Sequence, residues 1–129
     1  MVRAEAKDIT FDMSSRRKIQ AGIDKLAALT EDGGPAIAVG APSKDNGAIY
    51  NSVFILDGGK IITRFDKVNL PNYGVFDDKR NFAAGQMPGP IMLRGLKIGF
   101  PICEDIWEPD VVECLEESGA ELIIAVNAS

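Results

Sequence analysis

Between Leu96 and Pro109 the sequence LKIGFPICEDIWEP changes its period, and that change constrains the whole chain. Ile98, Phe100 and Ile102 alternate with Lys97, Gly99 and Pro101, the two-residue repeat of a strand with one face in a core. The alternation stops at Cys103, Glu104 and Asp105, and a helical pattern carrying Val111, Val112, Cys114 and Leu115 follows from about Pro109. A strand delivered into a helix through a short turn points to a layered α/β fold. A cysteine at such a turn stands exposed beside backbone N–H groups that can face a developing oxyanion. The alternative is a small, inert core cysteine closing a strand. The segment by itself supports both.

The rest of the chain supplies the layers. Ser14 or Ser15 is expected to cap a helix running to about Thr30, with Ile19, Ile23, Leu26 and Ala27 as its apolar stripe. Arg16, Arg17 and Lys18 sit on its wet side and read as a solvated face. Residues 36–42 (AIAVGAP) predict a short strand buried on both sides, followed by a polar loop from Ser43 to Gly47. Residues 48–56 and 61–65 flank Asp57-Gly58-Gly59-Lys60 and predict a hairpin. The segment from Asp66 to Pro90 has little regular period, and a loop of that length in a compact domain is usually functional or disordered. Tyr73, Val75, Phe76 and Phe82 argue against disorder. Residues 91–95 and 96–102 form a second hairpin into Cys103, Gly119 ends the following helix, and residues 121–127 read as a buried strand. The order predicts an α/β sheet structure of mixed strand direction, open at both ends of the chain.

Composition narrows the chemistry. The chain has no histidine, which removes Ser-His-Asp and Cys-His catalysis, histidine-ligated zinc and imidazole acid–base work together. Neither GxGxxG nor GxxxxGK[ST] occurs, so the two common phosphate cradles are missing. A net charge of −5 disfavours sequence-independent nucleic-acid binding. No apolar run reaches membrane-spanning length, no signal-peptide core opens the chain, and two cysteines suit a reducing, cytoplasmic setting.

Any chemistry must then run on cysteine, lysine, carboxylates or backbone donors. Cys103 needs its thiolate favoured, either by the helix N-terminus expected just after it or by a nearby ammonium. Lys67 is the candidate ammonium, because it follows a strand and opens the long loop among apolar residues; the alternative is a snorkelling surface lysine. Glu104 and Asp105 either orient a substrate amine, hold the turn, or are ordinary helix-start acids. Cys114 lies on the apolar side of its helix and reads as core.

DKVNLPNYGVFDDKRNF (66–82) together with GFPICEDIW (99–107) resembles the nitrilase superfamily, and within it the glutaminase (amidotransferase) domain of glutamine-dependent NAD synthetases. CED alone would be a weak signal; the pairing of the two stretches is specific, and the similarity spans roughly residues 15–129. The resemblance implies a partial αββα sandwich, truncated at both ends, and a Glu-Lys-Cys triad. Cys103 matches the nucleophile that forms a thioester with the glutamine side chain, and Lys67 the lysine that stabilises the oxyanion. Tyr73, Glu104 and Trp107 match residues that hold glutamine. Asp78 stands where the family has glutamate, so an acid able to support Lys67 is kept one methylene shorter.

The resemblance also implies what to expect of residues 1–129 as a unit: a central piece of a carbon–nitrogen hydrolase domain. The family's general-base glutamate lies on a strand before the first helix, and no acid in residues 1–13 matches it. The partner domain in such proteins is a synthetase using ATP, Mg and deamido-NAD; this stretch itself implies no cofactor and no metal. The expected partners are L-glutamine, that synthetase domain and further copies of the chain. Alternatives are a non-catalytic, self-associating module, or a free-standing amidase or carbamoylase of the same superfamily.

Overall fold

The computed structural model describes residues 12–72 and 78–127. Helix α1, Met13–Ala28, is capped by Asp12, whose carboxylate accepts the Ser15 N–H at 2.8 Å. The cap therefore lies upstream of Ser14 and Ser15, which fall inside the first turn. The Ser15 bonds hold the Asp12 carboxyl below its ordinary range. Ile23 and Ala27 of α1 are buried, with Ile19 and Leu26 packed beside them, while Arg16, Arg17 and Lys18 face solvent.

Strands β1 (Ile37–Asp45), β2 (Ala48–Asp57) and β3 (Lys60–Asp66) form an antiparallel sheet in that order. Asn46-Gly47 and Gly58-Gly59 turn both corners with φ of 48° and 80°, and 59° and 81°. Two-residue hairpin turns need positive φ at both positions, which Asn and Gly adopt cheaply. The second turn falls where Asp57-Gly58-Gly59-Lys60 predicts it. The first replaces the loop expected over 43–47, because Ser43 stays in register and hydrogen-bonds the Ser52 hydroxyl at 2.6 Å. Nor is β1 buried on both sides: Val39 and Ala41 pack toward α1, while Ala38 and Gly40 are exposed.

The core is organised by β2. Its alternation sends Phe54 and Leu56 toward α1 and Val53 and Ile55 toward a second sheet. That sheet comprises β4 (Ile91–Leu93), β5 (Leu96–Gly99) and β6 (Leu122–Ile123), with β4–β5 antiparallel and β5–β6 parallel. Ile98, Phe100 and Ile102 meet Val53 and Ile55 between the sheets, and the Phe65 and Phe100 rings stack with centroids 5.9 Å apart. The strand expected over 121–127 is shorter and less buried than its composition suggests. Pro101 cannot donate to the ladder, so pairing lapses after Gly99 and returns as a single bridge, Ile102 to Val126.

Helix α3, Pro109–Glu117, covers the second sheet with Val111 and Leu115, both fully buried. Gly99 permits this approach: a Cβ there would sit 2.8 Å from a Leu115 methyl. Gly119, at φ 90°, ends the helix as expected, its N–H bonding the Glu116 carbonyl. The layers are thus α1, sheet, sheet, α3, an α/β sandwich with one mixed sheet. No helix among the described residues is long and apolar enough to cross a membrane.

One exposed clamp ties the two sheets at their hairpin ends. Arg94, in the β4–β5 turn at φ 51°, pairs with Asp57 at 2.8 Å and also donates to the Gly34 carbonyl. The Arg94 hydrogen bond lowers the Asp57 carboxyl from its ordinary 3.8. An acid depressed in the folded state adds stability that is present above its unfolded pKa and is lost as pH falls through the folded one. Arg94→Ala should therefore lower the melting temperature slightly at neutral pH, less in high salt, and less again once Asp57 is protonated, when only the bond to the Gly34 carbonyl is left to lose. Thermal melts of both proteins across pH and salt read this out.

Candidate active site

The backbone at the elbow is bent more sharply than a strand-to-helix join requires. Ile102 is extended (φ −111°, ψ 111°), Cys103 is left-handed (φ 49°), and Cys103–Ile106 forms a single 3₁₀ turn. A non-glycine residue in that region costs on the order of 1–3 kcal/mol and persists only when neighbours over-determine it. Here the Cys103 N–H bonds the Val126 carbonyl at 3.0 Å and the Asp105 N–H bonds Ile102 at 3.1 Å. The α-helix starts only at Pro109, so the helix N-terminus expected directly behind the thiol is not there. Cys103 is half-buried. Cys114 is half-buried too rather than core, its thiol lying 3.5 Å from the Pro88 carbonyl of the long segment.

Lys67 is not a snorkelling surface residue. It is 3% exposed, and its Nζ meets Asp78 Oδ2 at 2.6 Å. Its backbone is fixed on both sides: its N–H donates to Asn51 at 2.7 Å and its carbonyl accepts from Gly85 at 2.8 Å. The shorter acid reaches because the short helix α2, Asp78–Asn81, brings its backbone in, with the Asp78 N–H bonded to the Pro71 carbonyl. Asp78→Ala strands a buried ammonium. Removing one partner of such a pair costs about 3–5 kcal/mol when both are fully buried, and Asp78 is 18% exposed, so the lower end is expected. Urea unfolding of the variant checks this.

Asp105 joins the two segments. It is 2% exposed and accepts N–H bonds from Asn69 at 2.7 Å, Val68 at 3.2 Å and Ile102 at 3.4 Å. Burial raises its carboxyl above the ordinary value, partly offset by those bonds and by the charge of Lys67. The sequence admits several roles for Asp105; the signal in it is an acid two residues past the cysteine and directly before Ile106, at the end of the Ile98–Ile102 apolar alternation.

Glu104 is half-buried and lines an open cavity of about 380 Å³ with Asn69, Pro71, Asn72, Lys79 and Glu108. Trp107 is 77% exposed and does not line it. Tyr73 lies outside the described residues. A second cavity of about 420 Å³ lies between the sheets, lined by Ala41, Asn51, Val53, Phe82, Ile102 and Val126. A third of similar volume surrounds Arg64, Tyr50 and Met87; neither Cys103 nor Lys67 lines any of the three. Among the described residues no group of three or more Cys, Asp or Glu side chains converges to hold a metal.

A half-buried cysteine on a left-handed turn, tied through one carboxylate to a buried, ion-paired lysine, is an arrangement for nucleophilic attack without histidine. Residues 11–129 match the carbon-nitrogen hydrolase family. The chain belongs to that family. It is 36% identical over 125 residues to the glutamine-dependent NAD(+) synthetase of Rhodobacter capsulatus, covering 97% of this chain and 22% of that one. The structure of glutamine-dependent NAD+ synthetase from Acinetobacter baumannii superposes with a TM-score of 0.81 at 32% identity, over 88% of this chain and 21% of that one. An amidase from Nesterenkonia sp. AN1 shares the fold, with a TM-score of 0.73 at 22% identity over 88% of this chain and 44% of that one. The chain thus spans about a fifth of the length of the synthetases it matches.

Proposed function

We propose that the chain carries the nucleophilic half of a glutamine amidase. The Cys103 thiolate attacks the side-chain amide carbon of L-glutamine, forming a C–S bond and a tetrahedral oxyanion. Lys67 and a backbone N–H beside Cys103 stabilise that charge. Collapse breaks the C–N bond, the leaving nitrogen takes a proton and departs as ammonia, and water cleaves the thioester to glutamate. Glu104, on the 380 Å³ cavity, accepts from the substrate ammonium. Tyr73 and Trp107 are the further residues proposed to hold the ligand.

What supports this best is Lys67: a lysine 3% exposed, paired at 2.6 Å and anchored next to the cysteine turn. A surface cation needs none of that. In the setting of its synthetase relatives, the ammonia would pass to an ATP-, Mg- and deamido-NAD-using domain in the cytoplasm. No residue of this chain is assigned as the general base that deprotonates Cys103, and loss of such a group costs about 10²–10⁴ in rate. Ammonium release from L-glutamine by the purified chain should therefore be slow, stoichiometric with Cys103 and abolished in Cys103→Ala. Release unchanged in Cys103→Ala would refute the proposal.

A second reading is a self-associating module, favoured by the exposed Met92, Leu96, Leu122 and Ile124 of the second sheet and its margin. Size-exclusion chromatography giving only a monomer at high concentration would count against it.

A further inference from the structure

We propose that Asp105 is a positioning residue that sets Lys67 against Cys103, a carboxylate clamp between the two segments carrying them; this rests on the amidase proposal above. The geometry is direct. Asp105 Oδ1 takes the Asn69 N–H at 2.7 Å, and Oδ2 takes those of Val68 at 3.2 Å and Ile102 at 3.4 Å. Val68 and Asn69 follow Lys67 in the chain, and Ile102 precedes Cys103. One side chain thus holds the immediate neighbours of both candidate catalytic residues, across 36 and 37 positions of sequence on the lysine side.

The chemistry demands a carboxylate. Strand β3 ends at Asp66, so among the described residues no ladder strand is aligned to accept the N–H groups of Val68 and Asn69. An ionised carboxylate offers acceptor sites to three donors and presents no hydrogen of its own, whereas an amide of the same shape turns an NH₂ toward at least one N–H. Burial at 2% exposure makes each of these bonds hard to exchange for water. The side chain of Asn69 bonds Asp110 at 3.0 Å, so the same strip is also tied to the start of α3. Lys67, whose charge reaches Asp105, then extends to Asp78 on the far side. The clamp fixes the lysine backbone and the ion pair fixes its tip.

A purely structural carboxylate would affect stability and leave the reactivity of Cys103 untouched in molecules that remain folded. A positioning carboxylate would act on Cys103 through Lys67. Among the described charged side chains of the surrounding elements, Asp78, Glu104, Glu108 and Asp110 oppose a thiolate, Lys67 is the buried cation, and Lys79 and Arg80 of α2 are exposed to solvent.

The experiment uses the full chain and measures iodoacetamide alkylation of Cys103 against pH, read at the Cys103 peptide by mass spectrometry. The unaltered protein is compared with Lys67→Met, Asp105→Asn and the double variant, each shown to be folded by its circular dichroism and melt. Lys67→Met should raise the alkylation midpoint by about one pH unit, an approximately tenfold slower reaction at pH 7. Asp105→Asn should move it most of the way to the same value, and the double variant no further. A folded Asp105→Asn protein with the unaltered midpoint, or shifts that add in the double variant, would overturn the clamp and leave the amidase proposal standing. A Lys67→Met midpoint equal to the unaltered one would likewise overturn the clamp, whereas the amidase proposal fails separately, on ammonium release from L-glutamine that is unchanged in Cys103→Ala. If Asp105→Asn does not fold, amide exchange in the unaltered chain decides: Val68 and Asn69 should exchange as slowly as Ile102, and exchange at the rate of an unstructured peptide would overturn the clamp.

Discussion

Lys67→Met is expected to slow thioester formation at Cys103 by about 10²–10³-fold, the usual loss when one oxyanion-stabilising donor is removed from a water-poor site. Methionine keeps the length and apolar stem of the lysine, so packing around a residue 3% exposed is preserved. The charge left behind is Asp78, whose side chain is 18% exposed and is hydrated more easily than a buried ammonium. Stability should consequently change little, or rise, since a buried ion pair often does no better than an apolar replacement. The separation of effects is the informative part. A large kinetic loss with an unchanged melt points to the oxyanion, whereas loss of both together would mean that Lys67 matters mainly to the fold. Single-turnover acylation with an activated amide, beside a urea titration, gives both numbers.

The second large effect is on stability. Ile55→Ala should cost about 2–5 kcal/mol, because Ile55 is fully buried between the two sheets and its removal leaves a cavity that Val53, Ile98 and Phe100 cannot fill without moving. A small domain has about 5–15 kcal/mol in all, so this variant should unfold at markedly lower urea with an unchanged slope. The control is Ile62→Ala on β3, where the side chain is 42% exposed and the cost should stay within about 0.5 kcal/mol. Since the same cluster packs against Cys103 and includes Ile102, the Ile55 variant should also lose the distinction between Cys103 and Cys114 toward thiol reagents as it unfolds. Equal losses for Ile55→Ala and Ile62→Ala would contradict the two-sheet core.

Much of this arrangement is readable from residues, and the parts that are not have physical reasons. The Gly58-Gly59 hairpin, the Gly119 helix stop and the two faces of α1 follow local rules that need no partner. Asn46-Gly47 obeys the same hairpin rule, but Ser43 and Lys44 look like loop residues until the Ser43 hydroxyl is seen bonded to Ser52 across the sheet. The strand after α3 is cut short by Pro101 on its neighbour, an effect of a residue distant in sequence. At the site, the left-handed Cys103 is foreshadowed by the abrupt end of the Ile98–Ile102 alternation. The intervening 3₁₀ turn is not, since acids and a tryptophan suit a helix start equally well. Lys67 and Asp78 sit too far apart for any local pattern to pair them; only the fold of the long segment does that. Trp107 shows the opposite failure, a matching residue that the structure leaves in solvent.

The central claim is that Cys103 is a nucleophile made selective by Lys67 and by substrate held at the cavity that Glu104 lines. Its most direct test is treatment of the intact chain with a glutamine-mimicking electrophile, followed by peptide mass spectrometry of both cysteines. Cys103 should be modified well before Cys114, L-glutamine should protect it, and Lys67→Met should abolish the preference. Modification of Cys103 and Cys114 at equal rates, indifferent to L-glutamine and to Lys67, would contradict the account.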